Sequence, residues 1–118
     1  MKSHKDLLVW QKSVELVTRI YSETKSWPAE EIYGMTAQIR RAAVSIPSNI
    51  AEGAGRGGKK EFSRFLFIAL GSLAEVETQI EIAERLGFAI DALGIDNALQ
   101  EIRRMIVGLN KSLDTCLD

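Results

Sequence analysis

The stretch with the clearest chemical potential is a glycine-rich segment flanked by basic residues. Between residues 40 and 64 there are six basic and two acidic side chains, a local excess of four positive charges in a chain whose total charge is −1. The basic residues are Arg40, Arg41, Arg56, Lys59, Lys60 and Arg64. An uneven distribution of this kind is typical of a surface that contacts an anionic partner. A solvated helix end has the same composition, so charge alone leaves both interpretations open.

The glycine-rich segment differs from a nucleotide-binding phosphate loop in two ways. The P-loop pattern ends in Gly-Lys followed by Ser or Thr, whereas Lys59 and Lys60 are followed by Glu61 and Phe62. The segment also follows a predicted helix, while a P-loop follows a strand. We therefore do not expect nucleotide hydrolysis. The lysines at the start of the next helix instead suit contact with a phosphate backbone.

Histidine and cysteine, two residue types that commonly bind transition metals, each occur once in the sequence. His4 is the sole histidine and lies near the N-terminus, and Cys116 is the sole cysteine and continues an apolar row. The later glutamates lack the Glu-x-x-His pairs that a metal-binding helix bundle needs. No cofactor motif or nucleophile–base pair is present. We therefore expect a non-enzymatic protein without a metal or cofactor, and we interpret Cys116 as a core residue.

Composition indicates one globular domain over residues 1–118, because 46% of the residues are hydrophobic and 26% are charged. No apolar run approaches the roughly 18 residues that a membrane span requires. The N-terminal apolar run is too short for a signal peptide. A lone cysteine fits a reducing compartment. We expect a cytoplasmic protein with no membrane contact.

Apolar residues recur every three or four positions in four segments, which is the helical period. The predicted helices span residues 6–26, 30–52, 59–86 and 96–117. The third has the strictest row: Phe62, Leu66, Ala69, Leu73, Val76, Ile80 and Ala83. On the first helix, we predict that the core row is Leu7, Trp10, Val14, Val17, Tyr21 and Thr24, with Leu16 and Ile20 in a second row. Helices of similar length joined by short turns predict an all-α, antiparallel up-down-up-down four-helix bundle.

Proline and glycine predict how these helices bend and end. Pro47 removes an amide donor, so the second helix should kink there. Gly53 is predicted to stop that helix, and Gly87 to cap the third in a left-handed conformation. Gly71, in mid-helix, suggests close contact with another helix. Residues 89–96 remain ambiguous.

Apolar side chains on the third helix exceed what one core row needs. Phe65, Ile68, Leu70 and Ile82 lie off that row, which indicates a second buried face. This surplus favours contact with another chain. It leaves open whether that chain is a second copy or a different protein.

Three segments carry a family resemblance. They read DLLVWQK at residues 6–12, QIRRAAVSIPSNIAEG at 38–53 and EFSRFLFIALGSLAEVETQ at 61–79. Together they resemble the bacterial 23S rRNA intervening sequence protein family, also called the four helix bundle protein family. The resemblance implies a small cytoplasmic four-helix bundle that assembles as a homopentameric ring. That family is in turn similar to retroelement accessory proteins, which are basic pentamers that bind nucleic acid and a reverse transcriptase.

Two functional hypotheses follow from these observations. In the first, the protein is an oligomeric module that binds structured RNA, or DNA, through the six basic residues named above. In the alternative, it is a protein–protein interaction scaffold with no direct nucleic-acid role. Arg40 and Arg41 would then form ion pairs with glutamates of a neighbouring subunit.

Overall fold

A computed structural model describes residues 3–115, and four long helices contain most of them. The helices are α1, Leu8–Thr24; α2, Met35–Gly55; α3, Lys59–Arg85; and α4, Ala92–Thr115. Short 3₁₀ turns, His4–Asp6 and Ala29–Glu31, precede α1 and α2. No strand occurs within the described range. The predicted all-α class and four-helix bundle are confirmed.

Each helix packs against two neighbours in a bundle that measures 51 × 21 × 19 Å. Helix α1 contacts α2 and α4, and α3 contacts the same two helices from the opposite side. Residues later in α2 contact residues earlier in α3. Gly53 lies beside Phe65, whereas Ser45 is bonded to Ser72. This is the contact order expected of antiparallel neighbours.

The core follows the bundle axis and consists mainly of aliphatic side chains from all four helices. The predicted α3 row is confirmed, because six of its seven members are buried and Phe62 packs partly buried against them. The off-row residues of α3 behave differently from one another. Phe65 is buried and Leu70 packs against the core, whereas Ile68 and Ile82 remain exposed.

Of the predicted core row of α1, only Thr24 is buried, whereas Leu16 and Ile20 of the predicted second row are both buried. The buried residues are Val9, Ser13, Leu16, Ile20 and Thr24, whereas Tyr21 is exposed. Ser13 donates a hydrogen bond to the carbonyl of Val9 at 2.7 Å, and Thr24 donates to that of Ile20 at 2.8 Å. Because the helix itself satisfies both hydroxyls, they can be buried. Because Ser13 is polar, the spacing of apolar residues could not place it in the core.

Helix α2 differs from its predicted limits at both ends. It begins at Met35, whose amide donates to the Glu31 carboxylate at 3.0 Å, and residues 29–31 form the separate 3₁₀ turn. It continues through Pro47 and Gly53 to Gly55. The prediction that Gly53 ends the helix is therefore wrong. The predicted kink at Pro47 stays a prediction.

The joint between α3 and α4 is shorter than the sequence suggested. Gly87 has φ +82°, and the amide of Phe88 donates to the carbonyl of Ala83, so the predicted left-handed cap is confirmed. The Asp91 carboxylate accepts a hydrogen bond from the Gly94 amide at 3.1 Å. This cap starts α4 at Ala92, four residues before the predicted Asp96. Cys116 lies outside the described residues.

Candidate nucleic-acid interface

Four of the six basic residues lie together where α2 turns into α3. These residues, here called the basic cluster, are Arg56, Lys59, Lys60 and Arg64. The turn is short because Gly57 adopts φ +80°, a conformation that costs glycine little. Close packing of the two helices beside the turn fixes their separation. A Cβ added to Gly53 would lie 2.7 Å from the Cβ of Phe65.

The two arginines of the basic cluster are held against one aromatic ring. The Cζ atoms of Arg56 and Arg64 lie 5.2 and 4.5 Å from the centroid of the Phe65 ring. Each guanidinium also binds a nearby carboxylate, Arg56 that of Glu52 at 3.1 Å and Arg64 that of Glu61 at 2.7 Å. The hydrogen bond from Arg64 lowers the pKa of Glu61 from its ordinary value. Glu52 and Glu61 therefore offset two of the four positive charges of the cluster.

Lys59 and Lys60 are exposed and lie in the first turn of α3. They border a pocket of about 290 Å³, together with Ser63, Leu113 and Asp114. A cation at a helix N-terminus opposes the helix dipole by roughly 0.3–1 kcal/mol. The helix dipole therefore does not favour two lysines at this position.

Arg40 is part of the bundle rather than of the basic cluster. Its Nε donates to the Thr24 hydroxyl at 2.9 Å and its Nη2 to the Tyr21 carbonyl at 3.3 Å. The guanidinium also lies over the Tyr21 ring, 4.5 Å from its centroid. These contacts bind α2 to the last turn of α1. Arg40 lies 16 residues before Arg56, about 24 Å along α2 at the usual helical rise.

Arg41 borders a polar groove between α2 and α3, of about 390 Å³. We call it the α2–α3 groove. It is lined by Gln38, Arg41, Ala42, Ser45, Glu75 and Gln79. Arg41 and Glu75 are exposed on opposite helices, and neither has a hydrogen bond or salt bridge to any residue in the described range. The structure therefore places Arg40 and Arg41 apart from the other four predicted contacts.

The floor of the α2–α3 groove is unusually polar for a contact between helices. Ser45 and Ser72 share a hydrogen bond of 2.7 Å, and the Asn49 amide donates to the Ser45 hydroxyl at 2.9 Å. Gln79 is only 8% exposed, and its Oε1 atom is buried without a partner among the described residues. Sequence reasoning missed this groove because its residues come from two helices. The sequence did contain one signal of a polar contact. Phe65, Ser72 and Gln79 are spaced seven residues apart, which puts two polar residues on the same face of α3 as an apolar one.

The fold and these surfaces define an all-helical bundle of the four-helix class, and the comparisons with known proteins give its family. Residues 5–108 match the 23S rRNA-intervening sequence protein family, so the chain belongs to that family. A solved structure from Bacteroides thetaiotaomicron VPI-5482 is similar, with a TM-score of 0.80 and 29% identity over 88% of this chain and 96% of that one. That protein is described as one of unknown function from the S23 ribosomal protein family. None of the curated proteins matches this chain. Over the described residues, no helix is long and apolar enough to cross a membrane.

Proposed function

We propose that the protein is a non-enzymatic, cytoplasmic oligomer, most simply a homopentamer, that binds structured RNA through the basic cluster at its α2–α3 turn. The observation that carries the proposal is the placement of Lys59 and Lys60, exposed in the first turn of α3 beside Arg56 and Arg64. Cations at this position do not favour the helix, but they do favour a phosphate.

The charge of one subunit is modest for a nucleic-acid-binding protein, since Glu52 and Glu61 offset two of the four basic side chains. An oligomer would present more positive charge to an RNA than one subunit does. A ring repeats the cluster once per subunit, and a long RNA could contact several copies at once. The homopentamer rests on the family resemblance. The exposed apolar side chains of α3, among them Phe67 and Ile82, give the surface that such an assembly would cover.

The test is binding of nuclease-treated protein to labelled structured RNA and DNA over a range of salt concentrations. Phosphate-driven binding must weaken steeply as salt rises, because bound counterions are released on association. No measurable binding at low salt would exclude the proposal. Light scattering at micromolar concentration tests the oligomer separately, and a monomer would contradict it.

A protein-interaction scaffold is the second candidate, and exposed aromatic side chains favour it. Phe67 is 61% exposed on α3, and Tyr33, just before α2, is 94% exposed. Large exposed apolar patches mark protein-interaction sites, and aromatic side chains are enriched in the cores of such interfaces. Purification from its native cells would distinguish the two functions. A protein partner that stays bound after nuclease treatment, with no RNA recovered, would favour the scaffold.

A further inference from the structure

We propose that the Phe65 ring holds Arg56 and Arg64 as a preformed clamp for RNA phosphates. In the free protein Glu52 and Glu61 occupy this arginine clamp, and phosphates displace them on binding. The inference rests on the proposed RNA binding, to which it adds a positioning residue and two competing carboxylates. Its starting point is that one ring faces two guanidinium groups from either side of the α2–α3 turn.

The packing of α2 against α3 brings the two arginines to one ring. Phe65 is only 8% exposed, and its Cβ atom lies where Gly53 leaves no room for a side chain. Arg56 follows Gly53 by three residues, and its amide donates to the Gly53 carbonyl at 3.2 Å. Arg64 directly precedes Phe65 on α3. The close approach of the two helices therefore places both guanidinium groups beside the same ring.

A guanidinium that lies over a ring can still bind an anion, because its N–H donors lie in its own plane. The Nε of Arg64 donates to Oε2 of Glu61 at 2.7 Å, and its Nη2 donates to Oε1 at 3.5 Å. Arginine forms the same two-point contact with phosphate. The Nε of Arg56 likewise donates to Oε2 of Glu52 at 3.1 Å. The two carboxylates therefore occupy donors that phosphates would use.

The two carboxylates are held weakly enough for RNA to replace them. All four side chains of these ion pairs are about half exposed, and exposed pairs contribute little to stability. Phosphates have an advantage over the carboxylates, because their neutralisation also releases condensed counterions. The ring contact survives the exchange, since it uses the face of each guanidinium rather than its edge. Phe65 therefore keeps both arginines in place while their anions change.

The first experiment replaces Phe65 with singly, doubly and triply fluorinated phenylalanine. Fluorine makes the ring face less negative, which weakens its attraction for a cation while the ring stays apolar and similar in size. We expect affinity for a structured RNA to fall stepwise, by roughly threefold or more for the triply fluorinated ring. The same series at Phe88, whose ring contacts Trp27, is the matched control and should leave affinity unchanged. In the Arg56→Met, Arg64→Met double variant, fluorination of Phe65 should have no effect.

The second experiment removes a competing carboxylate. Glu61→Gln frees the donors of Arg64, so RNA binding at low salt should strengthen roughly threefold or more. Asp114→Asn is the matched control, because Asp114 is exposed and borders the pocket of the two lysines without an ion pair to either arginine. It should strengthen binding less than Glu61→Gln does.

The outcomes separate the arginine clamp from the proposed function. RNA binding that is unaffected by fluorination of Phe65 would overturn the clamp and leave RNA binding intact. A loss that persists in the double arginine variant would also overturn it, because Phe65 would then act through packing alone. Equal strengthening by Glu61→Gln and Asp114→Asn would overturn the displacement of Glu61, since net charge would suffice. If no RNA binds even at low salt, RNA binding itself is excluded, and the clamp with it.

Discussion

Gly53 and Phe65 approach so closely that the α2–α3 contact has no room for a Cβ at residue 53. An added Cβ would lie 2.7 Å from the Phe65 Cβ, an atom attached directly to the α3 backbone and unable to move aside. Gly53 is buried in the last turn of α2, and glycine within a helix is less favourable than alanine by up to about 1 kcal/mol. The close approach explains why a glycine is present within a helix.

Gly53→Ala should therefore destabilise the protein despite its gain in helix propensity. Overpacking of a tight contact costs about 1–3 kcal/mol, which exceeds that gain. Gly71→Ala is the matched control, because Gly71 lies in the interior of α3 with nothing within 4 Å of an added Cβ. It should be neutral or stabilising by up to about 1 kcal/mol. Urea unfolding at one protein concentration measures both. Equal stabilisation by the two substitutions would contradict the close approach.

Arg40 should matter for stability and not for RNA binding. Arg40→Met removes donors to the Thr24 hydroxyl and the Tyr21 carbonyl, so we expect a loss of about 1–2 kcal/mol of unfolding free energy. Arg41→Met should change stability by less than about 0.5 kcal/mol, since Arg41 is exposed. Thermal unfolding and light scattering check these values. If Arg40→Met leaves stability unchanged but dissociates the oligomer, Arg40 acts between subunits instead.

Glu77 and Arg103 should make stability depend on pH. Arg103 donates two hydrogen bonds to the Glu77 carboxylate, at 2.5 and 2.9 Å, and this lowers the pKa of Glu77 below its ordinary value of 4.5. A lowered pKa in the folded state means that the pair stabilises the protein above the unfolded pKa. That stabilisation is lost as pH falls through the folded pKa.

Glu77→Gln should accordingly reduce the unfolding free energy by about 1 kcal/mol near neutral pH, because the pair is about one-third exposed. The difference from wild type should shrink as pH falls below about 4. Glu81→Gln is the control, since the Glu81–Arg85 pair lies one turn further along α3 and is much more exposed. A deficit of the Glu77 variant that is the same at every pH would show that ionisation of Glu77 does not stabilise the fold.

The sequence predicted the bundle better than it predicted the site, for a physical reason. The α3 row from Leu66 to Ala83 could be predicted because every member is apolar and regularly spaced. On α1 the buried residues Leu16, Ile20 and Thr24 were predicted in two different rows. Ser13 was in neither, because spacing alone does not show that the helix satisfies its hydroxyl. Helical spacing likewise cannot show which helices pack together.

The candidate site depends on that packing, so only part of it was predictable. The basic cluster follows from neighbours in sequence across one turn, and Arg56, Lys59, Lys60 and Arg64 do lie together. Arg40 was grouped with them because it is basic, but its guanidinium is used within the bundle. The α2–α3 groove requires Arg41 and Glu75 from different helices, and no local pattern joins them.

The most direct test of the RNA-binding proposal is the salt dependence of RNA affinity for two lysine variants. Lys60→Ala removes a cation from the basic cluster, and Lys25→Ala removes an exposed cation beside the last turn of α1, at the opposite end of the bundle. We predict that Lys60→Ala weakens binding to every RNA sequence and makes the salt slope shallower by about 1 for each phosphate that Lys60 neutralises, whereas Lys25→Ala matches wild type. Identical affinities and slopes for the two variants would contradict a phosphate contact at the α2–α3 turn.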